Sequence, residues 1–157
     1  MIRKILIILF FKVNPFCFSQ EYSVEILGIP VAEIKQTLKT DSVIYRIKTD
    51  GIIDLFYPIE NTYYSIFDPK DYGIIEFSKE INEKDLKTKR SAIKDSLNFF
   101  KYSSSETVKL NTDTKNIFTL LSMVQNFSYL EVDTRWFDFE HETQTGRARF
   151  LWADSSS

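Results

Sequence analysis

The sequence predicts a mainly β fold: an antiparallel curved sheet or open half-barrel with one amphipathic helix. Three observations carry that expectation. Short runs of alternating apolar and polar residues, punctuated by Gly, Pro, Asn, Asp and Ser, recur along most of the chain. Only Asn111 to Phe127 (NTDTKNIFTLLSMVQNF) sustains a helical period. No parallel βαβ unit and no fixed-period repeat intervenes, so each strand is expected to pair with its sequence neighbour.

The chain opens MIRKILIILFFKVNPFCFSQ, and residues 1–19 read as a signal peptide. Arg3 and Lys4 form a basic start, Ile5 to Phe11 an apolar core, and Cys17 and Ser19 the small-residue positions before a cut at Gln20. The apolar run is too short to span a bilayer, and Lys12 interrupts it. Cys17 is not expected to be acylated, because bulky Phe16 stands where a lipoprotein signal needs a small residue. The chain is thus expected to be periplasmic or secreted, with one β-rich domain over 20–157.

Removing residues 1–19 leaves 17 basic against 22 acidic residues. That surplus argues against a nucleic-acid binder, which would show a basic stripe. The chain's one Cys leaves with the signal, so neither a disulfide nor thiol chemistry is expected.

Tyr22 to Leu27 alternates with Tyr22, Val24 and Ile26 on one face, and Gly28-Ile29-Pro30 breaks the run. Val31 to Lys39 sets Ala32, Ile34 and Leu38 against Glu33, Lys35 and Lys39, a strand with one wet side. After Thr40-Asp41-Ser42, a third strand carries Val43, Tyr45 and Ile47. Asp50-Gly51 reads as a tight hairpin leading into a strand from Ile52 to Tyr57, ended by Pro58. Thr62 to Phe67 and Gly73 to Ile81 follow, then a basic strand from Leu86 to Lys94. Asn98 to Tyr102 and Glu106 to Leu110 are shorter strands.

The helix is expected to bury Ile117, Leu120, Leu121 and Val124, with Thr112, Asp113 and Thr114 as cap candidates. A long strand, Leu130 to Glu142, follows it, and Gln144-Thr-Gly146 turns into a last strand, Arg147 to Trp152. An apolar strand so near Ser157 would leave an apolar edge, so the domain is expected to be C-terminally incomplete.

No catalytic, cofactor or metal residue is expected. His141, the only histidine, has Glu140 and Glu142 on the opposite strand face, a poor arrangement for a mononuclear metal. No G-x-S-x-G elbow, second His or Gly-rich phosphate loop occurs. The carboxylate pairs Asp68/Asp71 and Glu80/Glu83 read as surface groups, and the basic run Lys84 to Lys94 as a solvated strand face. Large aromatics remain as the other signal. A cleft lined by Phe56, Tyr64, Phe77, Ile117, Leu120, Leu121 and Val124 would suit a lipid or other apolar ligand.

Leu27 to Ile34 (LGIPVAEI), Leu55 to Pro69 (LFYPIENTYYSIFDP), Asn116 to Leu121 (NIFTLL) and Trp136 to Trp152 (WFDFEHETQTGRARFLW) carry a family likeness. Behind a signal peptide, they resemble the bacterial exported family called domain of unknown function 3108. The resemblance implies an exported β domain and supplies no catalytic residue; from the absence of any catalytic motif, a non-enzymatic role is expected. At fold level the arrangement is similar to the half-barrel of periplasmic lipoprotein carriers, with the helix as lid. The expected function is an exported envelope protein binding a hydrophobic or envelope-derived ligand. The alternative is a non-enzymatic structural or interaction module with an envelope protein partner.

Overall fold

The computed structural model describes residues 17–151. An eight-stranded antiparallel meander runs β1 (Phe18–Ile26), β2 (Ile29–Leu38), β3 (Ser42–Thr49), β4 (Glu60–Phe67), β5 (Ile74–Glu83), β6 (Leu86–Lys94), β7 (Phe99–Tyr102) and β8 (Thr107–Lys109). Helix α1 (Gly51–Phe56) lies between β3 and β4. Helices α2 (Ile117–Asn126) and α3 (Tyr129–Val132) follow β8, and β9 (Trp136–His141) pairs with β10 (Gln144–Arg149) in a separate hairpin. The sheet is not closed into a barrel. The expected fold class holds. Residues 1–16 of the expected signal peptide and Trp152 of the expected last strand lie outside the described residues, and the expected cut before Gln20 falls inside β1.

Cross-strand pairing puts Leu38 beside Val43, Tyr45 beside Tyr63, and Ser65 beside Phe77, so these side chains share one face. Helix α2 covers it. The Phe118 ring lies 5.2 Å from Tyr45, 4.9 Å from Tyr63 and 6.1 Å from Phe77, joining three strands through one side chain. Farther along the helix, Leu120 and Met123 pack with Val132 and Phe137 beneath the β9–β10 hairpin. The extended segment before α2 holds that hairpin: Lys115 N–H donates to the Asp138 carbonyl (2.9 Å), and Glu140 N–H to the Lys115 carbonyl (2.8 Å).

Four expectations are corrected. The helix starts at Ile117 rather than directly after Thr112 to Thr114, because 111–115 is spent on β5 and β9. Ile74 N–H bonds the Thr114 carbonyl at 2.8 Å. Asn116, not Thr112 to Thr114, is the cap: its side chain accepts from Thr119 N–H while the Thr119 hydroxyl accepts from Asn116 N–H. Second, the buried face is rotated from the expected stripe. Thr119, Leu120, Ser122 and Met123 are buried, whereas Ile117 and Leu121 are exposed. Thr119 and Ser122 hydroxyls donate to the Asn116 and Phe118 carbonyls, so both are buried without losing a bond.

Third, Asp50-Gly51 starts a helix instead of closing a hairpin. The Asp50 carboxylate accepts from Gly51 N–H at 2.7 Å as the cap of α1, and the Thr49 hydroxyl donates to Asp54 at 2.9 Å. The expected strand Ile52 to Tyr57 is therefore mostly helical. Fourth, Leu130 to Glu142 is divided between α3 and β9. The hairpin turn is Glu142-Thr143 (φ 47° and 77°) rather than Gln144 to Gly146. The Thr143 N–H bonds the Glu140 carboxylate at 2.9 Å, which offsets the cost of a β-branched residue in left-handed backbone.

Candidate functional site

The expected apolar cleft does not assemble. Phe56 sits exposed on α1, and Tyr64 lies on the sheet face opposite α2, between Ile44 and Ser78. Phe77 and Leu120 are buried in two different clusters, and Val124 is half-buried. Ile117 and Leu121 are exposed. Packing fills the space beneath α2. The partly open pocket at its start, lined by Tyr63, Phe77, Ile117, Phe118, Glu140 and His141 among others, measures about 70 Å³. Ligand pockets begin at roughly 300 Å³.

A polar clasp also fixes the helix to the sheet. Gln36, fully buried on β2, donates to the Tyr45 hydroxyl (2.8 Å) and to the Gln125 side chain (2.7 Å). Gln125 donates back to Gln36 (2.9 Å) and reaches Gln20 and the Tyr22 hydroxyl, each at 3.2 Å. Burial pushes the Tyr45 phenol up to about 12. The helix is thus bonded at its far end to β1 and β2 and wedged at its near end by Phe118.

The densest titratable cluster joins the hairpin to the main sheet. Buried Glu140 accepts from the Tyr102 hydroxyl and from Thr143 N–H. The Arg90 guanidinium lies 4.5 Å over the Tyr102 ring and 3.3 Å from Glu106, while Lys79 pairs with Glu142 and holds its carboxyl below the usual range. Each acid here accepts from a named protein donor, so the cluster locks two sheets together. His141 is exposed and stacked on Phe139 at 6.3 Å, in no such alignment with a serine or acid as would activate a nucleophile. Asp68 and Asp71 bond the N–H groups of Lys70 and Gly73, as turn formers. Among the described residues, no His/Cys/Asp/Glu group could hold a metal ion, and no helix is long and apolar enough to cross a membrane.

Exposed apolar surface concentrates at one end of the sheet. The β1–β2 turn, the α1 excursion and the β5–β6 turn share that end and are linked. Asp50 N–H bonds the Val31 carbonyl at 3.1 Å, and the Lys84 ammonium bonds the Phe56 carbonyl at 3.3 Å. Leu27 at the hairpin tip is 98 % exposed and Leu55 on α1 is 82 % exposed; Ile26 and Ile29 beside the tip and Ile52 and Phe56 on α1 are exposed as well. Leu27 and Gly28 both adopt left-handed backbone (φ 53° and 77°), so the turn projects Leu27 outward at a strained position. Acidic groups outnumber basic ones around this end: Glu25, Asp50, Asp54, Glu60, Glu83 and Asp85 against Lys48, Lys84 and Lys87.

The sequence places Ile26, Leu27, Ile52 and Leu55 in strands, Ile29 in the break between two of them, and Phe56 in the expected apolar cleft. One available signal pointed elsewhere. Ile52, Leu55 and Phe56 fall at i, i+3 and i+4, a helical spacing that the Asp-Gly turn signal outweighed. Comparison with known proteins finds no matching family, no matching curated protein and no matching solved structure.

Proposed function

We propose that the chain is a non-catalytic docking module of the cell envelope, which engages a partner protein through the apolar end formed by the β1–β2 turn and α1. The single observation that supports this reading is the clustering of Leu27, Ile29, Ile52, Leu55 and Phe56 on linked, protruding turns, all exposed. Contiguous exposed apolar surface with a polar rim marks interaction sites more often than chance. The acidic rim favours a protein partner with basic flanks over an anionic lipid surface. The filled space beneath α2 weighs against the apolar-ligand reading.

The test replaces Leu27, Leu55 and Phe56 together by Ser and compares the native size of the chain in gently solubilised envelope extracts. Wild type is expected in an assembly larger than its own mass, the triple variant as the free chain, with unchanged thermal stability. An unchanged assembly would overturn the docking surface. Organic extraction of the same wild-type preparation tests the ligand reading. A stoichiometric lipid would displace the docking proposal in favour of a carrier.

A further inference from the structure

The free edges of the two sheets are unequally protected. Strand β8 is three residues long and carries Lys109, and β10 carries Arg147 and Arg149; short length and basic side chains are the usual devices against edge pairing. Strand β1 has nine residues with no Pro, Lys or Arg, and its charges are Glu21 and Glu25. Among the described residues, no strand pairs with its outer edge. Its side chains on the α2-bearing face, Phe18, Tyr22, Val24 and Ile26, stay exposed because nothing flanks them. The edge is also held in place, since the Tyr22 hydroxyl lies 3.3 Å from Gln36 and 3.2 Å from Gln125.

We propose that β1 pairs antiparallel with β1 of a second copy, about a twofold axis perpendicular to the sheet at Tyr22, joining two meanders into one continuous sheet. Charge selects that register. The axis keeps both α2-bearing faces on one side and sets residues equally spaced about the centre opposite each other. Centring on Glu21 would set Glu21 against its own copy, and centring on Ser23 would set Glu21 against Glu25. Like charges directly opposite are destabilising. Centring on Tyr22 avoids both clashes and pairs residues 20–24, all of which follow the expected cut. It places Glu21 opposite Ser23, Gln20 opposite Val24, and the two Tyr22 side chains together.

The register break between Val24 and Glu25 lies outside those central pairs, and so does the expected cut before Gln20. The Lys35 ammonium, 2.6 Å from Glu21, further reduces the negative potential along the edge. This pairing uses the side of β1 away from β2 and does not depend on the apolar end.

Sedimentation of the exported chain over a wide concentration range tests it, with Ser23→Glu and Ser23→Lys alongside. Ser23 is exposed on the face away from α2, and circular dichroism verifies that each variant keeps the β fold. Wild type is expected to show a concentration-dependent dimer. Ser23→Glu places two carboxylates opposite the two Glu21 side chains and is expected to weaken the dimer about tenfold. Ser23→Lys places two ammonium groups there and is expected to tighten it by a similar factor. A monomer at every concentration, or a dimer indifferent to the sign of charge at position 23, would overturn the proposal. The Leu27, Leu55 and Phe56 substitutions leave this dimer intact, so failure here and failure of the docking surface are distinguishable.

Discussion

Leu120 and Leu121 are adjacent, chemically identical and equally part of the helical stripe legible in the sequence, yet packing separates them. Leu120 is 2 % exposed against Met123, Val132 and Phe137; Leu121 is 39 % exposed. Truncating Leu120 to Ala removes a fully buried side chain and leaves a cavity that the hairpin above can only partly fill. A loss of about 3 kcal/mol is expected, within the range for buried Leu→Ala changes. Leu121→Ala gives up a partly hydrated side chain with no cavity term, and Ala is the better helix former, so about 1 kcal/mol is expected. At roughly 3 °C per kcal/mol for a chain of this size, the melting temperatures should fall by about 9 °C and about 3 °C. Urea denaturation with unchanged m-values is the assay. Equal losses would refute the assignment of the buried face, and negligible losses at both positions would make α2 the loose lid of the carrier reading.

Replacing Gln36 by Leu is expected to cost about 2 kcal/mol, because Tyr45 and Gln125 lose a buried partner; a change below about 0.5 kcal/mol by the same denaturation would show the clasp to be incidental. Gly73→Ala should lower expression or stability sharply, since a Cβ there would lie 2.7 Å from the Thr112 carbonyl oxygen and 3.0 Å from Asp113 Cα; a variant that melts like wild type would contradict the close approach of 111–115 to β5. Burial raises the phenols of Tyr45, Tyr63, Tyr72 and Tyr102 and lowers the ammonium groups of Lys94 and Lys115. The folded state keeps those phenol protons above the ordinary tyrosine pKa of about 10, so their contribution is complete below that pH and is lost as pH rises toward 12. The lysines act oppositely: the unfolded state binds their protons more tightly, so stability rises as pH climbs toward their ordinary pKa of about 10.4. Unfolding midpoints across alkaline pH, with tyrosinate absorbance, should show steep loss beyond about pH 10; tyrosines ionising at their ordinary value in the folded chain would contradict this.

The meander was legible because alternation survives wherever one sheet face is wet. Strand β6 falls where Leu86 to Lys94 predicts it, and Leu38, Val43, Tyr45 and Phe77 are buried as their pattern implies. Errors gathered where polar residues act inside the fold. Thr119 and Ser122 are buried with their hydroxyls satisfied by helix carbonyls, and Gln36 is buried within a clasp that closes only between segments 89 residues apart. No periodicity rule detects such satisfaction, so the helix was turned to the wrong face. Lys115 was likewise unreadable: it is 3 % exposed, with its ammonium bonded to the Asp113 carbonyl at 2.6 Å. The candidate site escaped notice for a different reason. Apolar residues predict burial, and only tertiary context reveals that Leu27 and Leu55 project from linked turns into solvent.

The measurement closest to the central claim is hydrogen exchange on the chain in its native envelope, compared with the purified chain. Docking through the apolar end predicts slower exchange in envelope over 26–30 and 51–57, with α2 unchanged. Slower exchange confined to α2 and the strands beneath it, or no difference at either place, would contradict the account.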